Sequence, residues 1–184
     1  MSLSLILGPM FSGKSSELLG TIRKYNAIGW PILVITHTVD TRYSSAPEII
    51  SHNGERYPAI RTNDLYSLDH RLYAISKLII IEEAQFFTGL REFVLRAVDI
   101  HAKDIICVGL DGDADRKPFG DILSLVPYCD SIIKRTAFCK RCSTPTPAIF
   151  TSRIGERGDQ VDVGGKERYE PLCRRHYVEV QRTL

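Results

Sequence analysis

Several features are missing from this sequence, and each absence removes a class of explanation. There is no large charge imbalance: 24 Lys and Arg against 22 Asp and Glu leave a formal net charge of +2. That is too small to make nucleic acid or an anionic membrane the expected partner. No apolar run approaches the ~18 residues that a membrane-spanning helix needs. The opening MSLSLILGPM is apolar but carries no basic segment of the kind a secretory leader has. It runs straight into a glycine loop and reads as a first strand. A cytoplasmic, reducing setting is therefore expected, in which closely spaced cysteines among the five present serve as metal ligands rather than disulfides. Neither an internal repeat nor a low-complexity tract is found.

What is present is the pattern of an α/β domain. The chain has 184 residues, 43% of them hydrophobic, enough for one domain with a core and a small appendage. Apolar runs at Leu3 to Leu7, Ile32 to Ile35, Leu78 to Ile81, Ile105 to Leu110 and Ser131 to Ile133 mostly do not alternate with polar residues. Such runs suit parallel strands covered on both faces. Between them the spacing predicts helices over Ser16 to Ala27, Asp64 to Ser76 (Leu65, Leu68, Leu72 and Ile75 on one face) and Thr88 to Ala102, the last capped by Thr88. Asn53-Gly54 between apolar flanks predicts a hairpin. After about residue 137 the helical periodicity fades into short strands, prolines and Gly164-Gly165. The expected division is a P-loop α/β nucleotide-binding domain over 1–137 and a small lobe over 138–184, too small to hold together without a staple.

Residues 8 to 15, Gly8-Pro9-Met10-Phe11-Ser12-Gly13-Lys14-Ser15, fit G-x-x-x-x-G-K-[ST] between a strand and a helix. Glycines let successive N–H groups converge on phosphate oxygens, and the helix start adds partial positive charge. A lysine reaches the β and γ phosphates and a hydroxyl ligates Mg²⁺. Downstream, Leu78 to Ile81 runs into Glu82-Glu83. Ligands bind beyond the carboxyl ends of parallel strands, so two glutamates there could divide the work: one toward the metal, the other toward an acceptor hydroxyl whose proton it takes. The competing reading is a solvated acidic pair opening the next helix.

Cys139-Lys140-Arg141-Cys142 and Cys173-Arg174-Arg175-His176 give C-x₂-C and C-x₂-H, a set of four protein ligands suited to a closed, tetrahedral, structural Zn²⁺ site. Neighbouring cations would favour the thiolates. Cys107 reads as a small core hydrophobe, and His37, His52, His70 and His101 as surface or satisfied polar groups.

GPMFSGKS, DTRYSS at 40–45, EEAQFF at 82–87, LDGDADRKPFG at 110–120 and the two ligand pairs, in this order over nearly the whole chain, resemble the type II thymidine kinases. The resemblance implies ATP-dependent phosphorylation of the thymidine 5′-hydroxyl, with Glu83 as base, Lys14 and Arg42 at the transferred phosphate, and Asp40 and Glu82 near the metal waters. It implies a nucleoside pocket lined by Met10, Phe86, Leu110 and Phe119, with Thr151, Val163, Gly164 and Tyr169 in or beside a loop that closes over the base. It further implies a homotetramer or homodimer and feedback by thymidine triphosphate, and it leaves open whether deoxyuridine is a second substrate. Two positions depart from the family: Glu82 where Asp is common, and Ala114 where relatives often carry an aromatic. Other classes lack their marks. A GTPase would want an N-K-x-D stretch, which is absent, and a zinc-dependent nucleic-acid module would want interleaved stacking aromatics.

Overall fold

The computed structural model describes residues 1–39, 48–50, 54–155, 159–162 and 164–183. In chain order the elements are β1 (Ser2–Leu7), α1 (Lys14–Ala27), β2 (Ile32–His37), β3 (Glu48–Ile50), β4 (Arg56–Pro58), β5 (Ile60–Thr62), α2 (His70–Ile75), β6 (Leu78–Ile81), α3 (Leu90–Leu95), β7 (Asp104–Gly109), β8 (Ser131–Lys134), β9 (Ala137–Phe138), β10 (Pro147–Ala148), β11 (Phe150–Arg153), β12 (Tyr169–Leu172) and α4 (Arg174–Thr183). Six strands form one sheet in the order β5-β2-β6-β7-β1-β8, and every pairing in it is parallel.

Side-chain alternation divides the central strands between two cores. Leu3, Leu5 and Leu7 of β1, Ile79 and Ile81 of β6, and Ile105 and Cys107 of β7 pack with Phe93 and Val94 of α3. The residues between them, Ile6, Leu78, Ile80, Ile106 and Val108, pack with Leu18, Leu19 and Ile22 of α1. This is why the runs show no polar alternation: both faces of β6 are fully buried. The register sets Ile81 beside Cys107 and Leu7 beside Gly109, so three strands end at the same edge and release their following loops side by side. β8, at the sheet's margin, is exposed along its length, unlike the buried strands its composition suggested; among the described residues only β1 pairs with it.

Three expectations about helices need correction. Residues 64–76 are not one helix. A 3₁₀ turn at Leu65–Ser67, capped by the Asp64 side chain, is separated from α2, which the Asp69 side chain caps at Arg71 and Leu72 N–H. Leu68 between them is extended, so Leu72 and Ile75, expected on a buried face, are exposed. Thr88 does not cap α3. Gly89 does, with φ 69°, a left-handed conformation that costs glycine little. Finally, the chain after 137 is not free of helix, because α4 closes it. The predicted hairpin is present, with β3 antiparallel to β4 and Ile49 opposite Tyr57, while Asn53 lies outside the described residues. No helix among the described residues is long and apolar enough to cross a membrane.

Beyond β8, two antiparallel pairs, β9 with β10 and β11 with β12, pack with α4 around Ala137, Ala148, Leu172, Tyr177 and Val180.

Candidate active site

Two adjacent pockets lie beyond the carboxyl ends of the parallel strands. The first is lined by residues 10–16 of the glycine loop with Glu82, Glu83, Gly109 and Leu110; the second by Met10, Glu83, Phe86, Leu110, Phe119, Thr151, Gly164 and Tyr169, among others. Met10, Glu83 and Leu110 belong to both. Glu83 therefore stands where the two pockets meet.

The loop's shape follows from its glycines and from what holds it. Gly13 takes φ 77° and starts α1. Lys14 Nζ donates to the carbonyls of Gly8 (3.0 Å) and Pro9 (2.8 Å), keeping the ammonium inside the loop. Arg135 braces it from outside, with Nε donating to Ser12 O at 3.0 Å and a terminal nitrogen to Glu17 at 2.6 Å. The Ser12 hydroxyl is buried and has no hydrogen-bond partner among the described residues. An orphaned buried hydroxyl in a glycine loop that opens a helix is a site that an anion's oxygens would satisfy. Ser15 Oγ donates to Glu82 Oε1 at 2.8 Å. A hydroxyl paired with a carboxylate beside that cradle is the all-oxygen donor set a hard divalent cation takes.

Glu82 and Glu83 are both buried, which removes the reading of a solvated acidic pair opening a helix. Glu83 has φ 50°, a strained angle for a residue with a side chain. Its Oε2 accepts from the amide of Gln85 at 2.5 Å.

The second pocket is walled by an apolar cluster of Met10, Leu110, Phe119 and Tyr169, with Phe86 and Ala114 against it. The Phe86 and Phe119 rings meet edge to face, 5.3 Å between centroids. His37, on β2, packs tilted against the Phe86 ring and edge-on to the Phe87 ring; burial pushes it below its usual range, and its Nδ1 accepts the Val39 N–H at 3.1 Å, so it is a satisfied core histidine. Thr151 on β11 accepts the Met10 N–H at 3.0 Å and ties the strands beyond β8 to the glycine loop. Tyr169 donates to Asp162 O at 2.6 Å, and Gln160 reaches across to Asp113 Oδ2 at 2.7 Å.

Of the site residues expected from sequence, Met10 to Ser15, Glu82, Glu83, Phe86, Leu110, Phe119, Thr151, Gly164 and Tyr169 line one pocket or the other, while Gly8 and Pro9 serve through their carbonyls. Asp40, Arg42 and Val163 lie outside the described residues. Sequence reasoning missed Gln85, Asp113 and Gln160. The only signals for Gln85 and Asp113 were their places in EEAQFF and LDGDADRKPFG, and Gln160 carried none.

Cys139, Cys142, Cys173 and His176 converge with all ligand atoms within 4.8 Å of one another. His176 Nδ1 lies 3.3, 3.4 and 3.5 Å from the sulfurs of Cys139, Cys142 and Cys173. Tetrahedral zinc, with bonds of about 2.3 Å to sulfur and 2.0 Å to nitrogen, requires separations of this size. Burial pushes the Cys139 thiol up, but backbone N–H groups of Cys173 and Arg141 and the His176 ring outweigh it and bring it down to about 6. The chemistry of the set fits Zn²⁺. Cys107 is fully buried in β7, and burial pushes its thiol up, as for a core hydrophobe. Cys129 donates to Val126 O at 3.2 Å.

Comparison with known proteins agrees with this geometry. The family described as thymidine kinase matches residues 1–177. Thymidine kinase a of Arabidopsis thaliana is 38% identical over 178 residues, covering 95% of this chain and 74% of that protein. The cytosolic thymidine kinase of Homo sapiens is 37% identical over 177 residues, 96% of this chain and 73% of that protein. Thymidine kinase of Vaccinia virus (strain Western Reserve) is 34% identical over 177 residues, 96% of this chain and 97% of that protein.

Proposed function

The chain belongs to the thymidine kinase family, and from that premise we propose that it transfers the terminal phosphoryl group of ATP to the 5′-hydroxyl of thymidine. The observation that carries this reading is the position of Glu83 at the junction of the two pockets, shared with Met10 and Leu110. A triphosphate in the glycine loop and a nucleoside among Phe86, Phe119 and Tyr169 would meet at that carboxylate.

In this reading the backbone N–H groups of 8–15 and the Lys14 ammonium hold the phosphates. Ser15 and Glu82, with Asp40, would hold Mg²⁺, which when bound neutralises charge on the β and γ phosphates. Glu83 accepts the proton of the attacking hydroxyl, and Arg42 sits near the transferred group. The Phe86–Phe119 pair and Tyr169 clamp the base; Thr151, Val163 and Gly164 belong to or border the segment that closes over it. An apolar slot distinguishes a methyl group by about 1–3 kcal/mol, so deoxyuridine is a poorer second substrate. Cys139, Cys142, Cys173 and His176 hold structural Zn²⁺. A cytoplasmic homo-oligomer inhibited by thymidine triphosphate completes the proposal.

The test is a nucleoside panel with ATP and magnesium, scored for monophosphate. Thymidine monophosphate should dominate and ATP turnover should depend on thymidine. ATP hydrolysis indifferent to every nucleoside would overturn the reading.

A further inference from the structure

Gln85 is buried beside the Glu83 carboxylate and has both ends of its amide engaged. Its Oε1 accepts the Leu110 N–H at 3.1 Å, and its Nε2 donates to Glu83 Oε2 at 2.5 Å. A backbone N–H only donates, so the end facing Leu110 must be the oxygen, and the NH₂ must face Glu83. The amide cannot turn over without losing both bonds.

Two glycines from other parts of the chain make room for this residue, one at its side chain and one at its backbone. A Cβ on Gly109, the last residue of β7, would lie 2.3 Å from Gln85 Oε1. A Cβ on Gly120 would lie 1.9 Å from the Gln85 carbonyl oxygen, and Gly120 also has φ 56°. Glu83 itself is held at φ 50°, a conformation that persists only where its surroundings over-determine it.

We propose that Gln85 is a positioning residue for the phosphoryl transfer: locked by Leu110, it fixes the orientation of the Glu83 carboxylate at the junction of the two pockets. This rests on the reading of Glu83 as base. It gives one residue a double duty, because Leu110 lines both pockets and Gln85 ties it to Glu83. The spacing between the end of β7 and the base is thereby set by one amide.

The variants Gln85→Met, which keeps length without the amide, and Gln85→Glu, which keeps shape and replaces donor by acceptor, separate this role from mere filling of the slot. The charged groups bordering the same pockets are unchanged in both: Lys14 from α1, Glu82 from the end of β6, and Asp113 and Asp162 from the loops after β7 and β11. His37 of β2, packed against Phe86 and Phe87, is also unchanged.

In the full chain, Gln85→Met should lower kcat by about 100-fold, as expected when a reacting group is misplaced, with the thymidine KM nearly unchanged. Gln85→Glu, which fills the slot equally well but has no donor for Glu83, should lose as much. A crystal structure of folded Gln85→Met should show the Glu83 carboxylate turned away from its wild-type position, a readout that needs no turnover. A wild-type kcat in either folded variant, or a Glu83 carboxylate left in place, would overturn the inference. A wild-type chain inert toward every nucleoside would instead overturn the kinase reading, and the position of Glu83 in the variant would still decide the role of Gln85.

Discussion

Glu83 concentrates what a single residue does here. It is buried, strained at φ 50° and bordered by both pockets. Glu83→Gln keeps the shape and removes the basic oxygen, so kcat should fall by about 10²–10⁴-fold while ATP still binds, measured by turnover and by calorimetric titration of the nucleotide. Full activity in that variant would remove Glu83 as the base. Gly120 is the second residue on which the site depends. Gly120→Ala would meet the Gln85 carbonyl at 1.9 Å from a left-handed backbone, and backbone cannot yield as a side chain tip can. Strain of about 1–3 kcal/mol from the angle alone, with the overlap added, should lower the thermal midpoint by several degrees. A variant as stable as the parent would show that this turn has room to relax.

At the scale of elements, the loop from Leu110 to Gly120 has to be held because its ends line the nucleoside pocket. Asp113 turns it from within, its Oδ1 accepting the N–H groups of Asp115 (2.9 Å) and Lys117 (2.8 Å). α4 grips it from outside: the buried Tyr177 hydroxyl donates to Ala114 O at 2.6 Å, and the Arg116 guanidinium lies over the Tyr177 and Phe150 rings at 4.8 and 5.5 Å. Tyr177→Phe leaves the ring and removes the donor, which should cost about 1–3 kcal/mol. Because the freed loop carries Leu110 and Phe119, the thymidine KM should rise more than the ATP KM. Equal changes in the two would mean that α4 serves stability alone. These elements also show what could be read in advance. The sheet was legible because each central strand is a contiguous run buried on both faces, and composition reports that directly. The glycine loop, the glutamate pair and the ligand spacings were legible because their chemistry sits within a few consecutive residues. α4 was not, since its buried face is little more than Tyr177 and Val180 on an otherwise polar helix. Residues 64–76 carry two aspartate caps five positions apart, and a periodicity that ran through both concealed the break at Leu68. The roles of Gln85, Asp113 and Gln160 were not legible for a third reason: each has a partner 25 or 47 residues away along the chain, and neither pattern nor propensity records such contacts.

Across the whole molecule, the nucleoside pocket is built partly by the sheet and partly by strands that follow it, so the two must stay in register. Thr151 to Met10, Gln160 to Asp113 and Tyr177 to Ala114 are hydrogen bonds that join them. The Cys139, Cys142, Cys173 and His176 cluster sits at the root of all three. Cys139 and Cys142 flank the turn after β9, Cys173 follows β12, and His176 lies on α4 next to Tyr177. The apolar cluster around it is small, and clusters of that size are marginal without a metal or disulfide. A zinc ion joining those ligands would therefore stabilise the placement of β11, β12 and α4 against the loop, and through them the wall of the pocket, without touching the reacting atoms. The sheet, with its two cores on either side, does not need it. Metal analysis should find about one zinc per chain, as a closed four-ligand site implies. Stripping it with a chelator, or Cys173→Ser, should lower the thermal midpoint and weaken thymidine binding well before ATP binding, because only the nucleoside pocket draws walls from both sides of the junction. A metal-free chain with an unchanged midpoint and unchanged thymidine affinity would show that the cysteines and histidine pack as ordinary side chains, and that the pocket wall stands without them.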